Sequence, residues 1–415
     1  MRILFASLLF SIATLTGLAQ PTRPTPARND YDVAVYYFPS YHPDAAYDQW
    51  HGKGWTEWDL VKAARPRLPG HRQPKVPQLG YYDESDPKWA AKEIDLAADH
   101  GIDCFIYDWY WYDKVKGRKF LHGGLENGFL KAPNRNRLKF ALMWANHDWA
   151  NIHPTPYTNH QELLTDGEVS AETFDTLTTY IVETYFKQPN YWKIDNRPFF
   201  SIFLTYELVK GLGSIEKTQQ ALARFDEKTR QAGFAGLHLN LIDQGFMGNF
   251  TNFRSEQGTA MNPKTVLAAT GASSVGTYNF LYPYRLSAKN FPVANYADAI
   301  RDNEAYWNRS PATYPVPYIP NVTMGWDVTP RLVQTEKFDQ FKGYPWTGIF
   351  NGDNTPAAFK SALLRAKAFV DKTNPSHKII TINAWNEWTE GSYLLPDTRT
   401  GTAYLEAIRS VFGGK

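Results

Sequence analysis

The sequence predicts an α/β chain folded as a single (β/α)8 barrel of the TIM type with long βα-loop insertions, and three observations predict it. Apolar, strand-like runs alternate with helix-period segments from Val33 to Phe412. Eight such runs can be counted along the chain; most are apolar on both faces, as parallel strands covered by helices require. The turn after the first run reads Phe38-Pro-Ser-Tyr-His-Pro43, which lacks the glycines that an open dinucleotide-binding sheet needs there. Eight units without that turn favour closure into a barrel.

The elements follow in order. Val33–Phe38 is the first predicted strand. Pro87–His100 is an amphipathic helix with Gly101 as its stop signal, and Ile102–Trp109 is the second strand. Leu138–Trp144 is the third strand, Ala171–Lys187 a helix and Pro198–Thr205 the fourth strand. Ser214–Gln231 is a long helix before a fifth strand at Leu237–Ile242. A weaker sixth strand covers Val275–Phe280, and Tyr296–Asn308 is helical. Tyr318–Met324, the helix Thr355–Lys372, the strand Lys378–Ala384 and a closing helix Ala403–Phe412 complete the pattern. Ser40–Asp86 and Gln244–Ser274 are too long for plain connections, and such insertions are usually functional. The first follows a strand, so it belongs over the C-terminal mouth of the barrel.

Residues 1–19 have the layout of a secretory signal peptide: Arg2, an apolar stretch Ile3–Leu18, and a small-x-small site at Gly17-Leu18-Ala19. That stretch is short for a membrane anchor, and no later one is long and apolar enough to span a bilayer. Residues 20–30 read as a disordered Pro-rich tail. Residues 31–415 then form one catalytic domain, secreted or periplasmic and expected to be a monomer. Cys104 is the one cysteine, so no internal disulfide forms, and its apolar neighbours mark it as a core residue. A formal net charge of +2 without a basic face argues against nucleic acid as partner.

Composition stands out in one respect: 14 Trp, 25 Tyr and 25 Phe make 15% of the chain aromatic. Many of these rings crowd at strand ends beside acids and amides. The first strand offers Tyr37 and His42, with Trp55, Glu57 and Trp58 in the insertion. The second offers Asp108, Trp109 and Trp111, and the third Trp144, Asn146 and His147. Tyr206, Tyr278, Trp326 and Asp327 follow on later strands, and Trp385 and Asn386 on the last. Any one of these rings would serve equally well as core, since aromatics dominate burial. As a set, flat faces for sugar rings and polar groups for their hydroxyls describe a saccharide-binding cleft. The partner expected is an oligo- or polysaccharide.

The strongest local signal is Trp385-Asn-Glu-Trp-Thr-Glu-Gly391. Glu387 and Glu390 both reach the mouth if the chain turns at Gly391. Glycoside hydrolysis commonly needs two carboxyl groups in different protonation states, and burial beside Trp388 would help one keep its proton. Two other readings stay open. Glu207 and Asp327 are an alternative acid and nucleophile, with the other pair orienting substrate. A non-catalytic sugar-binding protein would need only the aromatics. The histidines lack the spacing of zinc ligands, no calcium loop is present, and neither metal nor cofactor is implied. Arg65-Pro-Arg-Leu-Pro-Gly-His-Arg72 with Lys75 is a cluster of positive charge suited to an acidic glycan, or merely a solvated loop.

Val33–Pro39, Gly54-Trp-Thr-Glu-Trp58, Tyr107-Asp-Trp-Tyr-Trp111, Trp144-Ala-Asn146, Gly325-Trp-Asp327 and Asn383–Gly391 together resemble the WbsX-like domain family. That family is similar to glycoside hydrolase family 99, whose members are endo-acting α-mannosidases. The resemblance covers Asp32–Phe412. It implies that Glu390 is the general acid/base and that Glu387 is the base acting on the sugar's own 2-hydroxyl. A 1,2-anhydro sugar would then replace a covalent ester, with net retention. Where the family pattern reads Trp-Ala-Asn-Glu-Asn-Trp, this chain has Trp144-Ala-Asn-His-Asp-Trp149, which alters the charge beside the sugar. The WbsX name carries a glycosyltransferase label, which export and the missing phosphate-binding turn argue against.

Overall fold

The computed structural model describes residues 30–152, 162–243, 255–258 and 260–413. The expected signal peptide, most of the tail and part of the second insertion lie outside the described residues. Each predicted strand is present. They are β1 (Tyr31–Tyr37), β2 (Cys104–Trp111), β3 (Lys139–Trp144), β4 (Arg197–Ile202), β5 (His238–Ile242), β6 (Ser274–Gly276), β7 and β8 (Lys378–Asn383). β7 is split at Pro320 into Tyr318–Ile319 and Asn321–Thr323. The first piece pairs with β6, the second with β8, and β8 with β1, every pairing parallel. The remaining neighbours from β1 to β6 also pair in parallel, so the ring closes through one strand. Pro320 has no N–H to donate, but its carbonyl still accepts from Thr381 N at 3.0 Å, so the break costs one ladder bond.

Ten helices of seven or more residues, or nearly so, matter here. α1 (Ala45–His51) and α2 (Trp58–Ala63) lie in the first insertion. α3 (Pro87–Asp99), α4 (Ala171–Ile181), α5 (Thr205–Leu212), α6 (Ile215–Gln231) and α7 (Pro263–Thr270) follow. α8 (Tyr296–Thr313), α9 (Pro356–Thr373) and α10 (Ala403–Phe412) complete the set. Their starts are read directly from the sequence: Asp86, Ser214 and Thr355 each accept a backbone N–H of the first turn. α6 buries Ile215, Thr218, Ala221, Leu222 and Phe225, a stripe at helical spacing that covers the sheet. Cys104 is fully buried in the core. No helix among the described residues is long and apolar enough to cross a membrane.

Differences from expectation fall at the mouth. β4 stops at Ile202 because the Asn146 amide takes both the N–H and the carbonyl of Leu204, at 2.8 Å each. The chain then turns into α5, where strand was expected to run on to Thr205. β6 stops at Gly276, whose lack of a side chain lets Ile319 O approach to within 2.9 Å of where a Cβ would sit. Residues 277–280 fold over the opening instead, with Phe280 N bonded to Thr323 Oγ1 at 2.8 Å. α7 occupies a stretch expected to be loop, and α8 runs past Asn308 to Thr313.

Glu93 of α3 is a buried acid behind the mouth; it accepts from Tyr82 Oη and from Trp385 Nε1. Burial pushes its carboxyl up to about 8, against the pull of the Tyr82 hydrogen bond. In the unfolded chain a glutamate titrates near 4.3. Between those values the native state holds a proton that the unfolded state has lost, so stability falls as pH rises through this window. Glu93→Gln removes the dependence. Urea midpoints at pH 5 and pH 8 should fall less in the variant than in the parent; equal slopes would contradict this account.

Candidate active site

The Glu387 and Glu390 carboxyls are set by a tight reversal after β8. Asn386–Glu387 pairs antiparallel with Ser392–Tyr393, and Trp388–Glu390 forms one 3-10 turn between them. Gly391 closes the turn at φ +65°, and a Cβ there would lie 2.5 Å from Asp327 Cβ, so only glycine fits. Trp388 stacks on Tyr393 with centroids 3.9 Å apart. Asn386 bonds both the N–H and the carbonyl of Phe38, each at 2.8 Å, fixing the reversal to the end of β1.

The two carboxyls open into a cavity of about 570 Å³. Its polar lining includes Glu57, Asp108, His147, Asp148, Asn279 and Arg331, and its rings include Phe38, Tyr110, Trp149, Phe203, Tyr278, Tyr282, Trp326 and Tyr344. Arg331 is the hub. Its Nη1 donates to Glu390 Oε1 at 2.5 Å, and its Nη2 reaches Glu387 Oε2 at 3.2 Å and Glu57 Oε2 at 3.4 Å. Its Nε donates to Thr389 Oγ1 at 3.0 Å. Thr389 in turn donates to Glu57, and Tyr344 Oη donates to Glu390 Oε1 at 2.9 Å. On the opposite side Tyr278 Oη donates to Asp108 Oδ2 at 2.8 Å and approaches Glu387 Oε1 at 3.4 Å.

These surroundings divide the acids. Burial pushes Glu387 well above the ordinary carboxyl range, the Glu390 charge pushes further, and Arg331 opposes both. Burial likewise raises Asp108, against the Tyr278 hydrogen bond. Glu57 is raised by burial and drawn back by Arg331 and Thr389. Burial lowers His147; its Nδ1 donates to Asp148 O at 2.8 Å, which leaves Nε2 as an acceptor. Two buried carboxyls whose proton affinity is raised, Asp108 and Glu387, therefore share the cavity with Glu390, which is hydrogen-bonded to a guanidinium. Among the described residues no cluster of His, Cys, Asp and Glu has the geometry to hold a metal ion.

The family model for glycosyltransferase WbsX matches residues 33–408. The chain belongs to the WbsX family. Two curated relatives in Xanthomonas campestris pv. campestris, strains B100 and ATCC 33913, are both described as uncharacterized protein WxcX. Each is 28% identical over 402 residues, covering 96% of this chain and 52% of the relative. The chain thus spans about half the length of the curated relatives it matches. Among solved structures it is similar to the GH99 endo-alpha-mannosidase from Bacteroides thetaiotaomicron, with TM-score 0.51, 15% identity, and 93% and 97% of the two chains covered. It is also similar to a glycoside hydrolase-like protein, with TM-score 0.57, 14% identity, and 96% and 98% covered. At that identity the likeness establishes the fold, a glycoside-hydrolase-like TIM barrel.

Of the WbsX-like positions singled out in the sequence, Glu57, Asp108, His147, Tyr278, Trp326, Glu387 and Glu390 line the one cavity. The others stand behind its wall. Tyr37 stacks on Tyr107 at 4.4 Å, and His42 Nδ1 meets Glu84 at 2.8 Å. Trp55 packs on Tyr47, and Trp58 donates to Tyr82 O at 2.7 Å. Trp109 and Trp111 stack on each other on the outer side of β2, and Trp144 packs on Phe174. Asn146, Trp385 and Asn386 make the internal hydrogen bonds given above, and Tyr206 is partly buried on α5. Asp327 lines a neighbouring cleft, and Glu207 meets Lys210 on α5, so these two do not share the cavity with each other. Arg331 and Tyr344 were not anticipated: a lone arginine past a strand end carries no pattern. Tyr110 was within reach, since strand alternation puts it on the same face as Asp108.

Removing Arg331 leaves buried carboxylates without their counter-charge, which typically costs about 3–5 kcal/mol. Arg331→Met should therefore lose about that much unfolding free energy at pH 8. Less should be lost at pH 5, where the freed carboxyls take up protons and shed their charge. Denaturant titration at both pH values checks this; an equal loss at each would mean that packing, not charge, is what Arg331 supplies.

Proposed function

We propose that the chain is a retaining glycoside hydrolase acting within an α-linked polysaccharide, through Glu387 and Glu390. The observation that carries this reading is the convergence of those two carboxyls, in unlike surroundings, on one ring-walled cavity. Cleavage requires a proton for the departing oxygen and a base for the attacking group, and a pair of carboxyls that differ in protonation supplies both. Following the WbsX and family 99 resemblance, Glu390 protonates the leaving oxygen and then activates water, and Glu387 takes the proton of the sugar's 2-hydroxyl. Aromatic walls bind the ring faces, and Asp108, His147 and Asn279 meet hydroxyl groups. The lining also favours hydrolysis over transfer from an activated donor. It presents five acids, and its cation Arg331 is already engaged, an adverse setting for a nucleoside diphosphate. We place the activity outside the cytoplasm, on the strength of the leader-like first residues.

One observation favours a second assignment of roles within the same reaction. Arg331 and Tyr344 both donate to Glu390, while burial raises the proton affinity of Glu387, the arrangement expected if Glu387 is the proton donor. A screen of α-linked mannans, rhamnose- and galactose-containing polysaccharides and sulfated glycans, read by product mass, identifies the substrate. Glu390→Gln should then lose on the order of a thousandfold in kcat on that glycan. It should keep much of its rate on an aryl glycoside whose leaving group needs no proton. Glu387→Gln should be slow on both. The reverse pattern would assign the proton donor to Glu387, and binding without new reducing ends in the parent protein would remove the enzyme reading.

A further inference from the structure

Beside the catalytic cavity lies a second cleft of about 450 Å³ with the opposite electrostatic character. The two adjoin: Glu390 lines the first and Gly391 the second, and Trp326 lines both. Three cations border the second cleft, Arg72, Lys75 and Arg399. Arg72 and Arg399 are exposed, and no ion pair joins either of them to a described acid. Among the described acids Lys75 Nζ pairs with Asp327 Oδ2, at 3.7 Å.

The acids of this cleft are buried and already occupied. Asp327 accepts from His71 Nε2 at 2.9 Å, Gln73 Nε2 at 2.7 Å and Thr329 N at 3.2 Å. Burial works against its charge, but His71 and Lys75 hold it below the ordinary carboxylate range. Asp397 accepts from Tyr393 Oη at 2.8 Å and from the N–H groups of Arg399 and Thr400, at 2.9 and 2.6 Å. Both shape the loops that present the cations. The sequence cluster from Arg65 to Lys75 is thereby sorted. Arg67 is committed to the carbonyls of Val333 and Gln334, while Arg72 and Lys75 are joined at the cleft by Arg399, from the loop after β8.

A cleft bordered by exposed guanidinium groups that pair with no described acid, and whose own acids are already hydrogen-bonded, suits an anionic ligand. Arginine's planar donors match the geometry of carboxylate, sulfate and phosphate oxygens. The rings of Phe350 and Tyr404 on the same lining suit an attached sugar. We propose that this cleft binds an oxyanion carried on a sugar residue, supplied by the glycan whose linkage occupies the catalytic cavity. This rests on the hydrolase reading for the identity of that glycan. The chemistry shared by the candidate groups is a charged oxygen cluster on a pyranose: a uronate carboxylate, a sulfate ester or a phosphate ester.

The test reads binding without turnover, in the full chain carrying Glu390→Gln. Glucuronate, glucose 6-sulfate, glucose 6-phosphate and glucose are titrated by calorimetry. At least one charged sugar should bind about tenfold or more tighter than glucose, as charge-assisted hydrogen bonds imply, and added salt should erode the gap. The tightest of the three names the substituent. Adding Arg72→Gln and Arg399→Gln should bring that sugar to the level of glucose, and Arg399→Gln alone should remove part of the preference. Both side chains are exposed and form no ion pair with a described acid, so the melting temperature should match the parent's. Charged sugars binding no better than glucose, or a preference that survives the double substitution, would overturn the proposal. Failure of the glycan screen with the preference intact would instead strike the hydrolase reading alone.

Discussion

The Arg331 guanidinium stands among Glu57, Glu387 and Glu390, and the rest of the site is arranged around it. Each of the three carboxyls is almost wholly removed from water, where an unpaired charge costs several kcal/mol. A guanidinium can meet all three because its donors lie in one plane and point different ways. A lysine ammonium is a point charge and would have to choose among them. The same hub joins three segments far apart in the chain. Glu57 comes from the first insertion, Arg331 and Tyr344 from the loop after β7, and Thr389 and Glu390 from the reversal after β8. Their relative positions are thus fixed by charge as well as by packing.

Barrel closure makes this meeting possible. β8 pairs with β1, so the segments leaving both strands emerge side by side. The Asn386 amide continues that pairing beyond the ladder by bonding the Phe38 backbone. Gly391 and Gly325 let the β7 and β8 loops touch backbone to backbone; a Cβ on Gly325 would lie 2.3 Å from Gly391 O. Hydrogen bonding and van der Waals exclusion hold these segments against one another.

The strands were legible because each is an apolar run bounded by helix signals, and the barrel followed from their number. What was not legible depends on contacts made only in three dimensions. Nothing local says that Asn146 will capture the backbone of Leu204 and end β4, or that β6 will stop at Gly276. The acids at the strand ends were legible too, because Asp108, Glu387 and Glu390 have no local reason to lie beside so many rings. The rings themselves were harder. On β2 the alternation sends Asp108 and Tyr110 into the barrel and Trp109 and Trp111 against the outer layer, and Tyr36 and Tyr37 divide in the same manner. Proximity to a strand end identified both sets, whereas parity separates them. Arg331 was invisible because its meaning lies in partners drawn from other loops.

The burial of these acids costs stability and, on the proposed reading, supplies the chemistry at once. A carboxyl that water could reach would ionise near pH 4 and have no proton to give at neutral pH. Burial among Tyr278, Tyr110 and Phe38 raises the proton affinity of Asp108 and Glu387, and the Arg331 charge opposes that rise at Glu387. A hydrolase must hand a proton to a departing alcohol, whereas an enzyme using an activated donor must accommodate a departing diphosphate that already carries negative charge. The first task calls for buried acids and the second for free cations. In this chain the buried acids line the ring-walled cavity, and exposed cations border the cleft that adjoins it. On the proposed reading, a glycan bearing both a scissile linkage and an anionic substituent would meet each in its appropriate place.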